Sequence, residues 1–111
     1  MRTSIFCLSL SLASLGTLVA PPPPAAAYSR VAPADEYFGR LKMSILGIRN
    51  QLRDLEVRSS YRYGNRRALM GEAAFIEDAM RDWTAKYPGD PWIPSFRHRL
   101  TLCYARIAVM R

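Results

Sequence analysis

Histidine occurs once in these 111 residues, cysteine twice and lysine twice. Each scarcity excludes something. A metal site wants three or four ligands in close array. His98 and Cys103, with Cys7 far away near the start, cannot supply them. A hydrolase triad needs a nucleophile, a base and an orienting acid. Cys103 follows His98 by five residues, about 140° around a shared helix, so the two point apart. Cys103 falls on an apolar seam, where a thiol behaves as a small core residue; a thiol linking two chains is the alternative. No glycine-rich phosphate loop occurs. Asp78 and Asp82 stand four apart, which could suit acid–base work if burial drove their pKa values apart. With Arg81 beside them they read as a solvated acidic face. No catalytic residue, metal site or cofactor is therefore expected, and the chain is not expected to be an enzyme. No run shows the strict alternation of a half-buried strand either.

The chain does carry the order of features that an export signal needs. Arg2 supplies a positive start, and residues 5–20 form an apolar run diluted by serines, Gly16 and Thr17. Four prolines at 21–24 break any helix, and Ala25, Ala26 and Ala27 offer small residues for a peptidase. The apolar run is shorter than the roughly 20 residues that span a bilayer. Residues 1–27 are expected to be a cleavable secretory signal, with export to a periplasm or the extracellular space. Residues 28–33 would be a flexible leader and residues 34–111 one helical domain. After cleavage Cys103 has no partner in the chain, so the core must carry stability without a disulfide.

Three series of apolar residues repeat with the helical period. Phe38, Leu41, Ile45, Ile48, Leu52 and Leu55 make the first, opened by Pro33 and the acids Asp35 and Glu36, which suit a helix start. Leu69, Ala73, Ile76, Met80, Trp83 and Tyr87 make the second, after the turn signal Gly64-Asn65; Asn65 is a candidate N-cap. Phe96, Leu100, Cys103, Ile107 and Met110 make the third. Glu36 with Arg40, Asp54 with Arg58 and Glu77 with Arg81 are spaced to pair on outer faces. The spacing predicts helices near 34–58, 66–87 and 94–110. Short links make neighbouring helices antiparallel, giving an all-α antiparallel three-helix bundle. The alternative is a helical hairpin with an additional docking helix.

Pro88-Gly89-Asp90-Pro91 is the strongest turn in the chain. A helix ending at Tyr87-Pro88, then Gly89-Asp90-Pro91-Trp92 and a helix with Leu100 and Tyr104, resembles the junction between tetratricopeptide-type repeats. A single junction is not an array, and such repeats need several copies. The resemblance therefore implies shared helix-turn-helix punctuation and no family.

Sixteen Lys and Arg face nine Asp and Glu. The excess favours anionic partners or surfaces and says nothing about fold. It concentrates in one loop, where Arg58, Arg62, Arg66 and Arg67 stand with Tyr61 and Tyr63. Arg can hold phosphates while Tyr rests at a headgroup layer or stacks on bases. An exported protein meets anionic lipid, lipopolysaccharide or an acidic protein surface more readily than nucleic acid, so this is a candidate anion-binding loop. A second candidate is a contact surface built from Trp92, Ile48 and Leu46, because Trp is enriched at binding hot spots and Leu46 widens the apolar face of the first helix. The expected function is a protein-interaction module, docking on a protein partner or a second copy. Binding of an anionic membrane surface or polyanion through the Arg/Tyr loop is the alternative.

Overall fold

The computed structural model describes residues 31–111 and, apart from these, Gly16 alone. Apart from Gly16, the expected export signal, its expected cleavage point and the start of the expected leader lie outside the described residues. Three helices follow in order: α1 (Ile45–Ser60), α2 (Arg66–Lys86) and α3 (Ile93–Ala108). Each packs on the other two, and no strand occurs among the described residues. The fold is the expected all-α three-helix bundle.

Helix α1 starts eleven residues later than its apolar spacing predicts. Ser44 is the N-cap, with its Oγ accepting from the N–H of Gly47 at 3.1 Å, which satisfies one of the unpaired donors of the first turn. Residues 34–44 instead form turns closed by a two-way backbone bridge between Phe38 and Met43. The reason is tertiary. Asp82 accepts from the N–H of Gly39 and Asp78 from that of Arg40, both at 2.9 Å, so the carboxylates of α2 hold the turn in place. Gly39 sits at φ +73°, and a Cβ there would lie 2.8 Å from Cα of Ala79. Only glycine fits both that conformation and that approach.

The helical spacing of Phe38 and Leu41 is thus coincidental. Phe38 reaches the core from the turn, 6.2 Å from both the Trp83 and Tyr87 rings, while Leu41 is 57 % exposed. Glu36 does not pair with Arg40. It accepts a hydrogen bond from the Tyr87 hydroxyl and lies 4.0 Å from Lys86 Nζ. The pairs Asp54–Arg58 and Glu77–Arg81 do form, at 3.2 and 3.0 Å.

Helix α2 opens at Asn65, whose side chain accepts from the N–H groups of Arg67 and Ala68. It ends at Tyr87, since Pro88 cannot continue the ladder. Pairing shows the register. Arg97 of α3 reaches Thr84 of α2, and Tyr104 reaches Glu77. Numbers rise on α3 as they fall on α2, so these helices are antiparallel. Arg99 pairs with Glu56 of α1, and Ser59 lies against the thiol of Cys103. Numbers there rise together, so α1 and α3 run parallel, as an up-down-up bundle requires.

The core is one cluster in which Phe38, Ile48, Leu52, Leu55, Leu69, Trp83, Cys103 and Ile107 are fully buried. Burial of such a large apolar side chain contributes about 1.5–3 kcal/mol. The aromatic series Phe38, Trp83, Phe96, Trp92 continues from the core to the surface, with the last three in edge-to-face contacts at 5.5 and 5.9 Å. Cys103 is inside, so the chain-linking thiol is ruled out in the folded state. Its burial pushes the thiol up from its ordinary range, which keeps the nucleophilic thiolate scarce at neutral pH.

Candidate docking surface

The α2–α3 turn has at its centre Asp90, a buried carboxylate. Its Oδ1 accepts from the N–H of Trp92 at 3.0 Å, standing in for the missing side-chain cap of α3. Its Oδ2 accepts from Trp83 Nε1 and from the N–H of Ala32, each at 3.0 Å. One carboxylate therefore ties together the start of α3, the core tryptophan and the segment leading into the bundle. Ala32 is buried as a result. It falls within the expected leader, residues 28–33, of which the first three lie outside the described residues.

This tie shapes the neighbouring surface. Val31, Ala34, Ile45, Leu46 and Trp92 surround a largely apolar concavity of about 260 Å³, with Trp83 and Asp90 at its base and Arg49 on its rim. Leu46 is 60 % exposed and Trp92 is 48 % exposed. Large apolar groups left in water cost free energy, and clustered ones mark interaction sites. Two of the three residues expected at a contact surface, Leu46 and Trp92, are thus brought together. The third is not: Ile48 is fully buried. The α1 stripe containing Ile48 faces α2 and α3, and two residues back along a helix turns Leu46 about 200° away from it.

The loop between α1 and α2 is a hydrogen-bonded turn. Tyr61 and Tyr63 donate their backbone N–H groups to Val57 and Arg58 carbonyls, while Arg62 and Gly64 take positive φ values of 53° and 112°. The turn holds Tyr61 81 % and Tyr63 73 % exposed. Arg62, Arg66 and Arg67 surround them, exposed and without an ion pair among the described residues. Arg58 differs from the expectation. Its guanidinium is held by Glu72 at 2.7 Å and Asp54 at 3.2 Å, and its hydrogen bond with Glu72 raises its pKa further. It braces α1 against α2 and is no longer available to an anion.

Asp78 and Asp82 also have a role that their spacing concealed, as acceptors for the residue 39–40 turn. Between α2 and α3 runs an open cleft of about 530 Å³. In it the Tyr104 hydroxyl donates to Glu77 at 2.7 Å, and Arg81 pairs with the same carboxylate. Burial, then the Glu77 carboxylate, pushes the Tyr104 hydroxyl far above its usual range. It is a poor proton donor to any substrate, and the cleft's polar groups mostly satisfy one another. Among the described residues no group of three His, Cys, Asp or Glu could hold a metal ion, and no helix is long and apolar enough to cross a membrane.

Comparison with known protein families, with curated proteins and with solved structures gives no match.

Proposed function

We propose that this chain is an exported helical module that docks on another protein through the apolar concavity where Leu46 and Trp92 meet. The observation that carries it is the pairing of these two exposed side chains, from different helices, over a floor that Asp90 fixes. A Trp beside a pocket that can receive a partner's side chain has the character of a binding hot spot. The floor is already ordered, so docking costs little conformational entropy. Export follows from the order of charge, apolar run, prolines and small residues over residues 1–27.

The test uses the tagged chain from Tyr28 onward, incubated with an envelope fraction of its own host. The wild type should retain a discrete protein through a high-salt wash. The double variant Leu46→Asp, Trp92→Ser should lose that protein while keeping its helical circular dichroism, at a somewhat lower Tm because Trp92 also packs edge-to-face on Phe96. Equal retention by the variant would remove the concavity from the account.

A second role has its own supporting observation, the exposure of Tyr61 and Tyr63 among the exposed Arg62, Arg66 and Arg67. An amphipathic ring at headgroup depth, flanked by cations, suits an anionic lipid surface. Binding to acidic liposomes should then fall with salt and vanish in the triple variant Arg62→Ser, Arg66→Ser, Arg67→Ser. Binding by that variant at high salt would exclude the corner as the contact.

A further inference from the structure

Charge is sorted unevenly over the three faces of the bundle. All nine carboxylate side chains lie within residues 31–111, and the first thirty residues contain none. Most are engaged away from the face between α1 and α3. Glu72 and Asp54 hold Arg58, Glu77 holds Arg81 and Tyr104, Asp82 and Glu36 meet Lys86, Asp78 anchors Arg40 and Asp90 is buried. Asp35 makes no ion pair among the described residues and acts on Tyr87. Glu56 is the carboxylate that joins α1 to α3, and Arg99 takes both of its oxygens at 2.7 and 2.8 Å. Arg99 holds Glu56 below the ordinary carboxylate range, and the positive charges of Arg106 and Arg53 also act on it.

Arg49 and Arg53 stand four apart on α1, and Arg99 and Arg106 seven apart on α3, so each pair shares a helix face. The two helices are parallel neighbours, so Arg53, Arg99 and Arg106 gather around Glu56, and Arg49, one turn before Arg53 on α1, extends the strip. Arg49, Arg53 and Arg106 are exposed and make no ion pair among the described residues. The strip is continuous with the docking concavity, because Arg49 is on the rim of that concavity and Trp92 lies seven residues before Arg99.

We infer that the docking partner is an acidic protein segment: an apolar side chain seats in the Leu46–Trp92 concavity, and carboxylates of the same segment run along Arg49, Arg53 and Arg106. This rests on the docking role proposed above and names the chemistry of the partner. A protein segment fits better than a membrane. The surface combines a recessed apolar pocket, sized for a side chain, with fixed cations in line, whereas a lipid surface is met best by protruding aromatic groups. Arg also pairs with carboxylates in a planar fork, which gives the strip directional preference.

The test is selection of displayed random peptides on the immobilised chain from Tyr28 onward, followed by affinity measurement of the enriched sequences. The expected sequences combine a large apolar residue with several Asp or Glu. Their affinity should fall about tenfold in the double variant Arg53→Glu, Arg106→Glu, since each reversal turns an attraction into a repulsion at a surface pair. The milder Arg53→Gln, Arg106→Gln variant adds no charge beside Glu56 and should show a smaller loss in the same direction. Leu46→Asp should abolish binding. Enriched peptides that are neutral or basic, need Leu46 and ignore both Arg variants would overturn the acidic partner and leave the docking role standing. Enriched peptides indifferent to Leu46→Asp, or no enrichment at all, would overturn both.

Discussion

Replacing Asp90 with alanine removes the acceptor of three hydrogen bonds at once and leaves their donors inside the protein. Trp83 Nε1 and the N–H of Ala32 are in buried bonds, and the N–H of Trp92 is in a partly buried one. An orphaned buried donor costs about 1–3 kcal/mol. The two buried donors alone give about 2–6 kcal/mol, and the Trp92 N–H adds less because water can reach it. A small domain is stable by about 5–15 kcal/mol, and one of this size belongs at the low end. Asp90→Ala should therefore lose a large share of total stability. Urea unfolding followed by far-UV circular dichroism measures it, with tryptophan fluorescence reporting Trp83 separately. Residues 31–33 should also come loose before the bundle does, because the Ala32 bond is their only hydrogen bond to a side chain among the described residues; enhanced proteolysis near Val31 in weak urea would show this. A midpoint shift worth only a few tenths of a kcal/mol would mean that Asp90 does not organise this corner, and the fixed floor of the concavity would go with it.

Gly39→Ala should cost about 2–4 kcal/mol, from a left-handed backbone and an overlap with the Ala79 backbone; an unchanged Tm would show that the turn moves freely off α2. Glu56 has a lowered pKa in the folded chain, through its hydrogen bond with Arg99. Its contribution is present above the unfolded carboxylate value, about 4.3, and is lost as pH falls through the lower folded value. Glu56→Gln should thus lower Tm at neutral pH and narrow its gap to wild type in acid, and parallel curves at every pH would contradict the pairing. Cys103 should resist thiol reagents at neutral pH until urea unfolds the chain, and labelling of the native protein at the unfolded rate would contradict its burial.

The bundle itself was legible because two of its helices announce themselves locally. Asn65 caps α2, Pro88 ends it, and Leu100, Cys103 and Ile107 keep one face of α3. The start of α1 was not legible. Phe38 and Leu41 continue its period, and nothing local reveals that Asp78 and Asp82, some forty residues later, hold Gly39 and Arg40 in a turn. Gly39 was the available signal: glycine inside a helical run hints at a positive φ or a close approach. The candidate site divided in the same way. Leu46 was visible as an apolar residue beside the α1 seam and Trp92 as an aromatic at the turn, but Ile48 belonged to the seam and went inside. Arg58 looked like a loop cation until Glu72 was placed beside it. The strip of Arg49, Arg53, Arg99 and Arg106 was invisible in the sequence, since it joins two helices separated by the whole of α2. The buried role of Asp90 hid within a turn motif, where an Asp is usually only a turn former.

The most direct test is to titrate the isotope-labelled chain from Tyr28 with a selected acidic peptide and follow backbone amide shifts by NMR. The account predicts shifts at Leu46, Arg49 and Arg53 on α1 and at Trp92, Arg99 and Arg106 on α3, shrinking as salt rises. Shifts confined to residues 61–67, or to the cleft between α2 and α3, would contradict it.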